Sequence, residues 1–312
     1  IKFINHDKSI SSYWKTICRS GCNGIRKIVE DAGFELVLLE KYTDPADLIK
    51  AVADVDALII RSDKATKEVI NAGKNLKIIV RAGAGYDNID LAAATEKEIV
   101  AMNTPGQNSN AVAELALGMM VFMARGNFKV GSGGTELKGK KLGIHAYGYV
   151  GKNVARIAKG FGMEVYAFDP FVQKELIEKD GLKMVSSVEE LYSTCQYISL
   201  HIPANDKTKK SINYALLSKM PKGATLVNTA RKEVIHEDDL KKIFAERPDF
   251  KYISDIAPDC NNELIQFETR YYSTPKKQGA ETAEANINAG IAAANQIVNF
   301  IKKGDKTYQV NK

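Results

Sequence analysis

One segment near the middle of the chain restricts the fold more than any other. An apolar run from Leu142 to Ile144 leads into a glycine turn at Gly148 and Gly151, and a helical pattern follows to about Phe161. A second apolar run then ends at Asp169. The order strand, turn, helix, strand is that of a βαβ unit, whose two strands lie parallel in one sheet. The segment therefore predicts an α/β fold with a parallel sheet.

The glycine turn also has the residues expected of a dinucleotide site. Gly148 lets the backbone approach a pyrophosphate closely, and Gly151 lets the helix pack against the first strand. The free N–H groups at the start of the helix, from Tyr149, would point at the pyrophosphate. Asp169 follows Gly148 by about 20 residues, the separation expected of a carboxylate that binds ribose hydroxyls. We therefore predict that this segment binds a dinucleotide.

Residues around the turn and the acid refine this prediction. Ala146 stands where the G-x-G-x-x-G pattern has its first glycine, so the turn has to accommodate a methyl group. Pro170 and Phe171 follow Asp169, and no arginine is placed there to receive a 2′-phosphate. Because the carboxylate would itself repel that phosphate, the predicted cofactor is NAD and not NADP.

Composition excludes several other classes of protein. The 312 residues suffice for two domains, and the apolar and charged fractions, 45% and 26%, are typical of globular proteins. No run of 18 apolar residues exists, so we expect no membrane span. The apolar stretch Ala111–Ala124 instead predicts a helix buried between domains or subunits. The net charge of +6 is spread along the chain, which favours a small anionic substrate over nucleic acid.

The four cysteines, Cys18, Cys22, Cys195 and Cys260, do not form a metal-binding pattern. Cys18 and Cys22 are close in sequence, but no second pair of cysteines or histidines completes a zinc site. We therefore expect free thiols, no metal ion and a reducing, cytoplasmic location.

Strand-like and helix-like segments alternate along the chain. The strand-like segments include Glu35–Leu39, Ala57–Ile60, Lys77–Val80, Tyr197–Leu200, Thr225–Asn228 and Tyr252–Asp255. The helix-like segments include Pro45–Val52, Thr66–Ala72, Asn213–Lys219 and Glu237–Phe244. Asn103–Gly106 breaks the pattern, and a long helical pattern from Glu281 to Lys303 follows the last strand. We therefore predict a separate first α/β domain, to which the last helix returns.

Three further segments and the dinucleotide segment occur in a characteristic order along the chain. They are Asn103–Asn108 with Ala113–Leu115, the dinucleotide segment, Leu200–Pro203 and Asn228–Arg231. With these segments the chain resembles the D-isomer-specific 2-hydroxyacid dehydrogenases over nearly its full length. Within that family, Arg61-Ser62 and the segment Arg81–Asn88 resemble most the members that oxidise D-3-phosphoglycerate.

The resemblance implies two doubly wound parallel-sheet domains with a cleft between them. Residues 1–103 and 283–312 would form a discontinuous, flavodoxin-like substrate domain, and residues 104–282 a Rossmann-type NAD domain. The implied activity is NAD-dependent oxidation of D-3-phosphoglycerate to 3-phosphohydroxypyruvate, the first step toward serine, with hydride leaving C2. Ala111–Ala124 resembles the segment through which the family forms homodimers. We expect no C-terminal regulatory domain, because the chain ends soon after the last helical pattern.

The resemblance also assigns site residues. The implied cofactor contacts are Ala84, Gly148, Tyr149, Val150, Gly151, Asp169, Pro170, His201, Ile202, Pro203, Thr208, Thr229, Ala230, Arg231, Asp255 and Gly279. The implied substrate contacts are Arg61, Ser62, Arg81, Ala82, Gly83, Asn108, Arg231 and Lys276. In this assignment Asp255 holds the nicotinamide carboxamide, and the amides of residues 82–84 form a nest for the substrate carboxylate beside Arg81. For His201 and Arg61, a purely structural role at a strand end stays open.

Arg231 is the expected catalytic arginine. It follows a short apolar strand and should project from the carboxyl end of that strand, where open α/β sheets bind ligands. A guanidinium there can hold the carboxylate of a 2-hydroxy acid and polarise the carbonyl that receives hydride. The family usually has glycine after this arginine, and this chain has Lys232.

The acid–base histidine of the family, which follows a proline, is missing. The matching segment Thr274–Ala280 is one residue longer and offers Lys276 and Lys277 instead, and the partner glutamate of the family is replaced by Cys260. A lysine needs a pKa of about 7 to 8 to act as a base at neutral pH. Loss of a glutamate partner, with Arg231 close by, favours such a lowered pKa. We predict that Lys276 takes the hydroxyl proton, with Lys277 as the alternative.

Two other functions stay open. Another dehydrogenase of the family, such as a hydroxypyruvate or glyoxylate reductase, would use the same site without a phosphate cradle. The missing histidine and glutamate also admit a non-catalytic, NAD-sensing binding protein.

Overall fold

The computed structural model describes residues 9–13, 19–39, 42–131 and 133–311. Cys18 lies outside these ranges. In chain order the strands are Ser9–Tyr13 (β1), Glu35–Leu39 (β2), Ala57–Ile60 (β3), Ile78–Arg81 (β4), Val100–Asn103 (β5), Lys141–His145 (β6), Glu164–Phe168 (β7), Lys183–Met184 (β8), Tyr197–Leu200 (β9), Thr225–Asn228 (β10), Lys251–Ser254 (β11) and Tyr271–Ser273 (β12).

The α-helices are Arg19–Asp31 (α1), Pro45–Ala51 (α2), Lys67–Ala72 (α3), Leu91–Glu96 (α4), Ser109–Ala124 (α5), Tyr149–Gly160 (α6), Lys174–Lys179 (α7), Val188–Thr194 (α8), Tyr214–Leu217 (α9), Glu237–Glu246 (α10), Asn261–Leu264 (α11) and Ala283–Lys303 (α12). Among these helices, none is both long enough and apolar enough to cross a membrane. The chain divides into two compact units, Ile1–Asn108 with Thr282–Lys312, and Ser109–Glu281. The divisions after residues 108 and 281 compare with 103 and 282 expected from the sequence.

The first unit is a five-stranded sheet in the order β2-β1-β3-β4-β5, with every pairing parallel. Successive residues of β3 alternate between its two faces, as the pleat of a strand requires. Ile59 packs with Ile297 of α12 and Val29 of α1 on one face, whereas Leu58 packs with Ile70 of α3 on the other. Helices therefore cover both faces, in the strand order of flavodoxin-like folds.

The second unit is a seven-stranded parallel sheet in the order β12-β11-β10-β9-β6-β7-β8. Counted from β6, the order 3-2-1-4-5-6 of a Rossmann fold is extended by one strand. Leu142 packs on the face that α5 and α6 cover, and Leu200 packs on the face of α8, α9 and α10. The predicted fold class, two doubly wound parallel α/β domains, is confirmed.

Helix α5 is the apolar stretch that the sequence analysis placed between domains or subunits. In the structure it packs against α6, β10 and β11 of its own unit. Ala113, Ala116, Met120 and Met123 are fully or almost fully buried there. The burial of this helix therefore arises within the second unit, because the sheet beneath it supplies enough apolar surface.

The carboxyl ends of the strands carry most of the predicted site residues. In the second unit Gly148 follows β6, Asp169 follows β7, His201 follows β9, Arg231 follows β10 and Asp255 follows β11. Strands β6 and β9 are neighbours although two strands separate them in sequence, so the strand order reverses between them. Ligands of open α/β sheets bind at such a switch point, outside the carboxyl ends of the strands.

Candidate functional site

The two glycines of the turn, Gly148 and Gly151, meet different structural requirements. A Cβ on Gly151 would lie 2.4 Å from the carbonyl oxygen of Ala146, so only glycine allows α6 to pack this close. A Cβ on Gly148 would meet no atom within 4 Å. Gly148 is the N-cap of α6, and no side chain caps the helix. Open space next to uncapped N–H groups is the arrangement that a pyrophosphate needs.

Ala146 takes the position of the missing first glycine. Its φ is 83°, in the left-handed region, which costs a residue with a Cβ about 1–2 kcal/mol. The N–H of Ala146 donates to Phe168 O at 2.9 Å, which keeps the turn against the end of β7. The turn thus keeps the geometry of the glycine pattern and bears the strain of the methyl group.

Asp169 is fixed toward the glycine turn. Its Oδ2 accepts from Tyr147 N at 2.8 Å, and its Oδ1 accepts from Phe171 N at 2.9 Å. The side chain is only 7% exposed. Each carboxylate oxygen accepts about two hydrogen bonds, so both oxygens can still accept from a ribose hydroxyl.

Two histidines flank the switch point. Loss of hydration lowers the pKa of His145 to about 4, although the Asp169 carboxylate opposes this. Loss of hydration, followed by the neighbouring His145, lowers the pKa of His201 to about 3. His201 Nε2 lies 2.9 Å from Ser199 Oγ. At neutral pH both rings are uncharged, and the contact with Ser199 favours the structural role for the His201 side chain.

A cavity of about 400 Å³ lies at the same edge of the sheet. Ile202 and Thr208, both predicted as cofactor contacts, line it, as do His145 and Phe168, which the sequence analysis did not select. The Thr208 hydroxyl accepts from Asn205 N and donates to Pro203 O, so it closes its own loop. Both residues could have been selected from the sequence. His145 is the last residue of β6 and Phe168 the last of β7, the two strands of the βαβ unit that contains the glycine turn.

The segment after β10 presents Arg231 through a turn that Asn228 builds. The Asn228 side chain is 1% exposed; its Oδ1 accepts from Ala230 N at 3.0 Å, and its Nδ2 donates to Arg231 O at 3.0 Å. The Arg231 guanidinium donates to Ala230 O at 2.9 Å, and no described carboxylate forms an ion pair with it. Most of its five N–H donors are therefore available to an anionic ligand.

Thr229 lies in the same turn and has a buried hydroxyl group. Its side chain is 6% exposed, and its Oγ1 has no hydrogen-bond partner among the described residues. Buried hydroxyls are costly without a partner, so an unpaired one at a ligand edge indicates a bound group. The ribose of NAD would supply that partner.

The place of the family glutamate is filled by a different network. Glu237, the first residue of α10, accepts from Asp259 N at 2.9 Å and from Cys260 N at 2.7 Å. Asp259 in turn forms an ion pair with Lys232, the residue that replaces the usual glycine. Burial, followed by the charge of Glu237, raises the pKa of the Cys260 thiol to about 12. Cys260 therefore stays protonated and is no substitute for a carboxylate.

Residues 274–279, here called the lysine loop, follow β12. The Asp255 carboxylate is 2% exposed and accepts from Thr274 Oγ1 at 3.2 Å, Gln278 N at 2.7 Å and Gly279 N at 2.8 Å. Lys276 and Lys277 are exposed. Lys276 has no hydrogen bond or ion pair with any described residue, whereas Lys277 has an interaction partner.

In the first unit, Arg61 directly follows β3, and Arg81 is the last residue of the adjacent strand β4. Arg81 Nε donates to Arg61 O at 3.0 Å, and the Arg81 guanidinium lies over Gly83. The predicted nest needs correction. Ala82 N donates to Ile60 O and Gly83 N donates to Arg81 O, because the chain turns sharply here. Of the predicted cradle, Arg81 and the amide of the exposed Ala84 therefore stay as the predicted contacts.

The other predicted contacts are less informative. Tyr149 at the start of α6 is exposed, as are Pro170 and Ser62, while Val150 and Asn108 are half-buried. Among the described residues, no three histidine, cysteine or acidic side chains lie together as metal ligands.

The residues at this edge fit a dinucleotide. Four separate observations at this edge support the fit. They are the space above Gly148, the uncapped start of α6, the fixed Asp169 carboxylate and the unpaired Thr229 hydroxyl. Each matches one part of NAD: the pyrophosphate, the adenosine ribose and the nicotinamide ribose.

Comparisons with known proteins agree with an NAD-binding domain. Residues 113–276 match the sequence profile described as D-isomer specific 2-hydroxyacid dehydrogenase, NAD binding domain. A solved structure of NAD⁺-bound 3-phosphoglycerate dehydrogenase from Entamoeba histolytica is 49% identical, with a TM-score of 0.88, and the match covers 98% of this chain and 99% of that one.

Two curated relatives are similar over most of this chain. A D-3-phosphoglycerate dehydrogenase of Methanocaldococcus jannaschii is 36% identical over 292 residues, which are 88% of this chain and 55% of that protein. A hydroxypyruvate reductase of Thermotoga maritima is 36% identical over 282 residues, 84% of this chain and 90% of that protein. The chain spans about half the length of the D-3-phosphoglycerate dehydrogenases among these curated relatives.

Matched alanine substitutions separate the two glycines. Gly151→Ala should lower the free energy of unfolding by about 1–3 kcal/mol, because its Cβ overlaps the Ala146 carbonyl. Gly148→Ala should change it by less than about 1 kcal/mol but weaken NADH binding about tenfold or more, because the methyl occupies the pyrophosphate space. Urea unfolding and NADH fluorescence titration measure both. Equal NADH affinity of Gly148→Ala and the unmodified protein would contradict the assignment.

The two histidines predict acid sensitivity. Their folded pKa values, about 4 and about 3, lie below the value of 6.5 for the unfolded chain. The unfolded state therefore binds protons first, and stability falls as the pH drops from about 6.5 toward 4, by about 1 kcal/mol per pH unit for each histidine. Urea unfolding between pH 4.5 and 7.5 should give a shallower slope for His145→Gln and His201→Gln. Parallel curves for all three proteins would rule out this cause.

Proposed function

The chain belongs to the D-isomer-specific 2-hydroxyacid dehydrogenase family, and from that premise we propose that it oxidises D-3-phosphoglycerate to 3-phosphohydroxypyruvate with NAD. The observation that supports this most is Arg231, which projects from the end of β10 with no carboxylate partner among the described residues, beside the unpaired Thr229 hydroxyl. The 3-phosphoglycerate dehydrogenase of Entamoeba histolytica, with bound NAD⁺ and 49% identity, supports the substrate.

The proposed reaction removes a hydride from C2 and a proton from the hydroxyl of the same carbon. NAD, when bound, supplies the nicotinamide ring that accepts the hydride. The Arg231 guanidinium holds the C1 carboxylate through paired N–H donors and stabilises the negative charge that develops on the C2 oxygen. Asn228 keeps this guanidinium in place by fixing the turn on which it stands.

Lys276 takes the hydroxyl proton in this proposal. It lies directly after Pro275, where the family has its histidine, and it has no internal partner among the described residues. The carboxylates near the position of the missing glutamate are paired elsewhere: Glu237 with backbone amides, Asp259 with Lys232 and Glu263 with Lys241. None of these carboxylates forms an ion pair with Lys276.

The cations of the first unit suit a phosphorylated substrate. Arg61 and Arg81 lie at the carboxyl ends of adjacent strands, and the guanidinium of Arg81 is bonded to the Arg61 carbonyl. Arginine is the side chain best suited to phosphate and carboxylate groups. We propose that this edge contacts an anionic group of D-3-phosphoglycerate.

A homodimer is part of the same proposal. Phe128 and Val130, just after α5, are exposed, and Phe128 packs edge-on against Phe122 with ring centroids 5.3 Å apart. Tyr272 is a further partly exposed aromatic residue at Phe122. An exposed aromatic and aliphatic group of this kind is typical of a surface that a second copy covers.

A second function is supported by one relative. The hydroxypyruvate reductase of Thermotoga maritima shares 36% identity over 90% of its length, and its substrate has no phosphate. The same Arg231 and lysine loop would serve that reaction, with the cations of the first unit unused.

Substrate preference tests the function. With NAD, the purified protein should oxidise D-3-phosphoglycerate with a kcat/KM at least about 100 times that for D-glycerate, because a phosphate bound by arginine contributes several kcal/mol. Steady-state NADH formation measures both. A preference for D-glycerate, or for reduction of hydroxypyruvate, would favour the second function. Tight NADH binding with no turnover of any hydroxy acid would indicate a binding protein.

Substitution of the two lysines tests the mechanism. Lys276→Ala should lower kcat by about 10²-fold or more, the usual loss on removing a general base, while NADH affinity stays within twofold. Lys277→Ala is the matched control and should keep kcat within about threefold. The opposite pattern would assign the proton to Lys277, and full activity of both variants would exclude the lysine mechanism.

A further inference from the structure

We propose that Asp255 is a positioning residue for Lys276, in addition to its expected contact with the nicotinamide carboxamide. The inference rests on the proposed function, because it concerns the placement of the proposed base. The observation behind it is that the buried Asp255 carboxylate accepts hydrogen bonds from both ends of the lysine loop.

The attachment points lie on either side of the two lysines. At the start of the loop, Thr274 Oγ1 donates to Asp255 Oδ1 at 3.2 Å. At its end, Gln278 N donates to Oδ1 at 2.7 Å and Gly279 N donates to Oδ2 at 2.8 Å. Pro275, Lys276 and Lys277 form the apex between them. The apex therefore cannot move far without breaking a hydrogen bond to a charged group.

The carboxylate depends on the loop as much as the loop depends on the carboxylate. Asp255 is 2% exposed, and no described lysine, arginine or histidine forms an ion pair with it. A buried charge is tolerated only when hydrogen bonds replace its water shell. Three donors of the lysine loop supply those bonds, so loss of any one of them would leave the charge poorly solvated.

The hydrogen bonds leave one place for a ligand. Oδ1 already accepts two bonds, and Oδ2 accepts one, so a single acceptor position is left on Oδ2. The expected carboxamide of NAD would donate there. Cofactor binding would then add a hydrogen bond to the same carboxylate that fixes the lysine loop.

Gly279 is the residue that makes this closure sterically feasible. A Cβ at this position would lie 2.8 Å from Asp255 Oδ2 and 3.2 Å from Val112 Cγ2. Only glycine lets the amide approach the carboxylate while α5 packs on the other side. Gly279 therefore lets the end of the lysine loop bond to the Asp255 carboxylate although the loop is one residue longer than the family pattern.

Thr274→Val tests the proposal most directly, because it removes one attachment with little change in volume and leaves Asp255 intact. Tryptic cleavage of the full-length protein after Lys276 and Lys277, followed by mass spectrometry, reports how firmly the loop is held. We expect cleavage to rise about tenfold and kcat to fall about three- to tenfold, as for loss of a hydrogen bond to a charge, with NADH affinity unchanged within twofold. Asp255→Asn should raise cleavage further, because its amide N–H₂ opposes the donors of the loop.

Thr225→Val is the matched control. Thr225 is 2% exposed and lies at the amino end of β10, the opposite edge of the same sheet, where it pairs with Tyr197 of β9. The variant loses a buried hydroxyl and some stability but should keep tryptic cleavage in the lysine loop and kcat within twofold. A fall in kcat with unchanged NADH affinity in Thr274→Val alone is a split that general destabilisation does not produce.

The outcomes are distinct. If Thr274→Val matches Thr225→Val in both cleavage and kcat, the proposal is wrong. It is also wrong if Asp255→Asn weakens NADH binding while tryptic cleavage of the loop keeps its original rate, because Asp255 would then be only a cofactor ligand. If the unmodified protein oxidises no hydroxy acid, the proposed function fails, and the cleavage rates still decide whether Asp255 holds the loop.

Discussion

Parallel hydrogen bonding of β6 to both β7 and β9 is the constraint on which the second unit depends. Because all strands run in one direction, each releases its next residues at the same edge of the sheet. Gly148, Asp169, Arg231 and Asp255 therefore share that edge although they are far apart in sequence. Each of these turns needs only a few residues, because the parallel sheet brings them to one edge.

Features that depend on local spacing could be predicted from the sequence. The glycine turn, the helix after it and Asp169 follow from periodicity and from a separation fixed by the βαβ unit. Gly151 was expected to allow close packing, and the Ala146 carbonyl lies where its Cβ would be. Strand ends shifted by one residue, as at Arg81 and Asp255, because the last ladder bond depends on the neighbouring strand.

Features that depend on partners distant in sequence could not be predicted. Nothing in the segment around Glu237 signals that its carboxylate accepts from the amides of Asp259 and Cys260. The predicted nest is wrong at Ala82 and Gly83, because their N–H groups donate to the carbonyls of Ile60 in β3 and Arg81 in β4. The backbone conformation of this turn, which the sequence does not show, determines these bonds. The three bonds to Asp255 depend likewise on how the lysine loop folds back over β11.

The unpaired hydroxyl of Thr229 has a consequence for the lifetime of the protein against degradation in the cell. A buried polar atom without a partner destabilises the ligand-free state, and a dinucleotide that hydrogen-bonds to it would stabilise the native state by mass action. Resistance to proteases and to heat would then follow the cellular level of the dinucleotide. In starved cells with a depleted pool, this chain would be turned over sooner, so its abundance would track the redox carrier it uses.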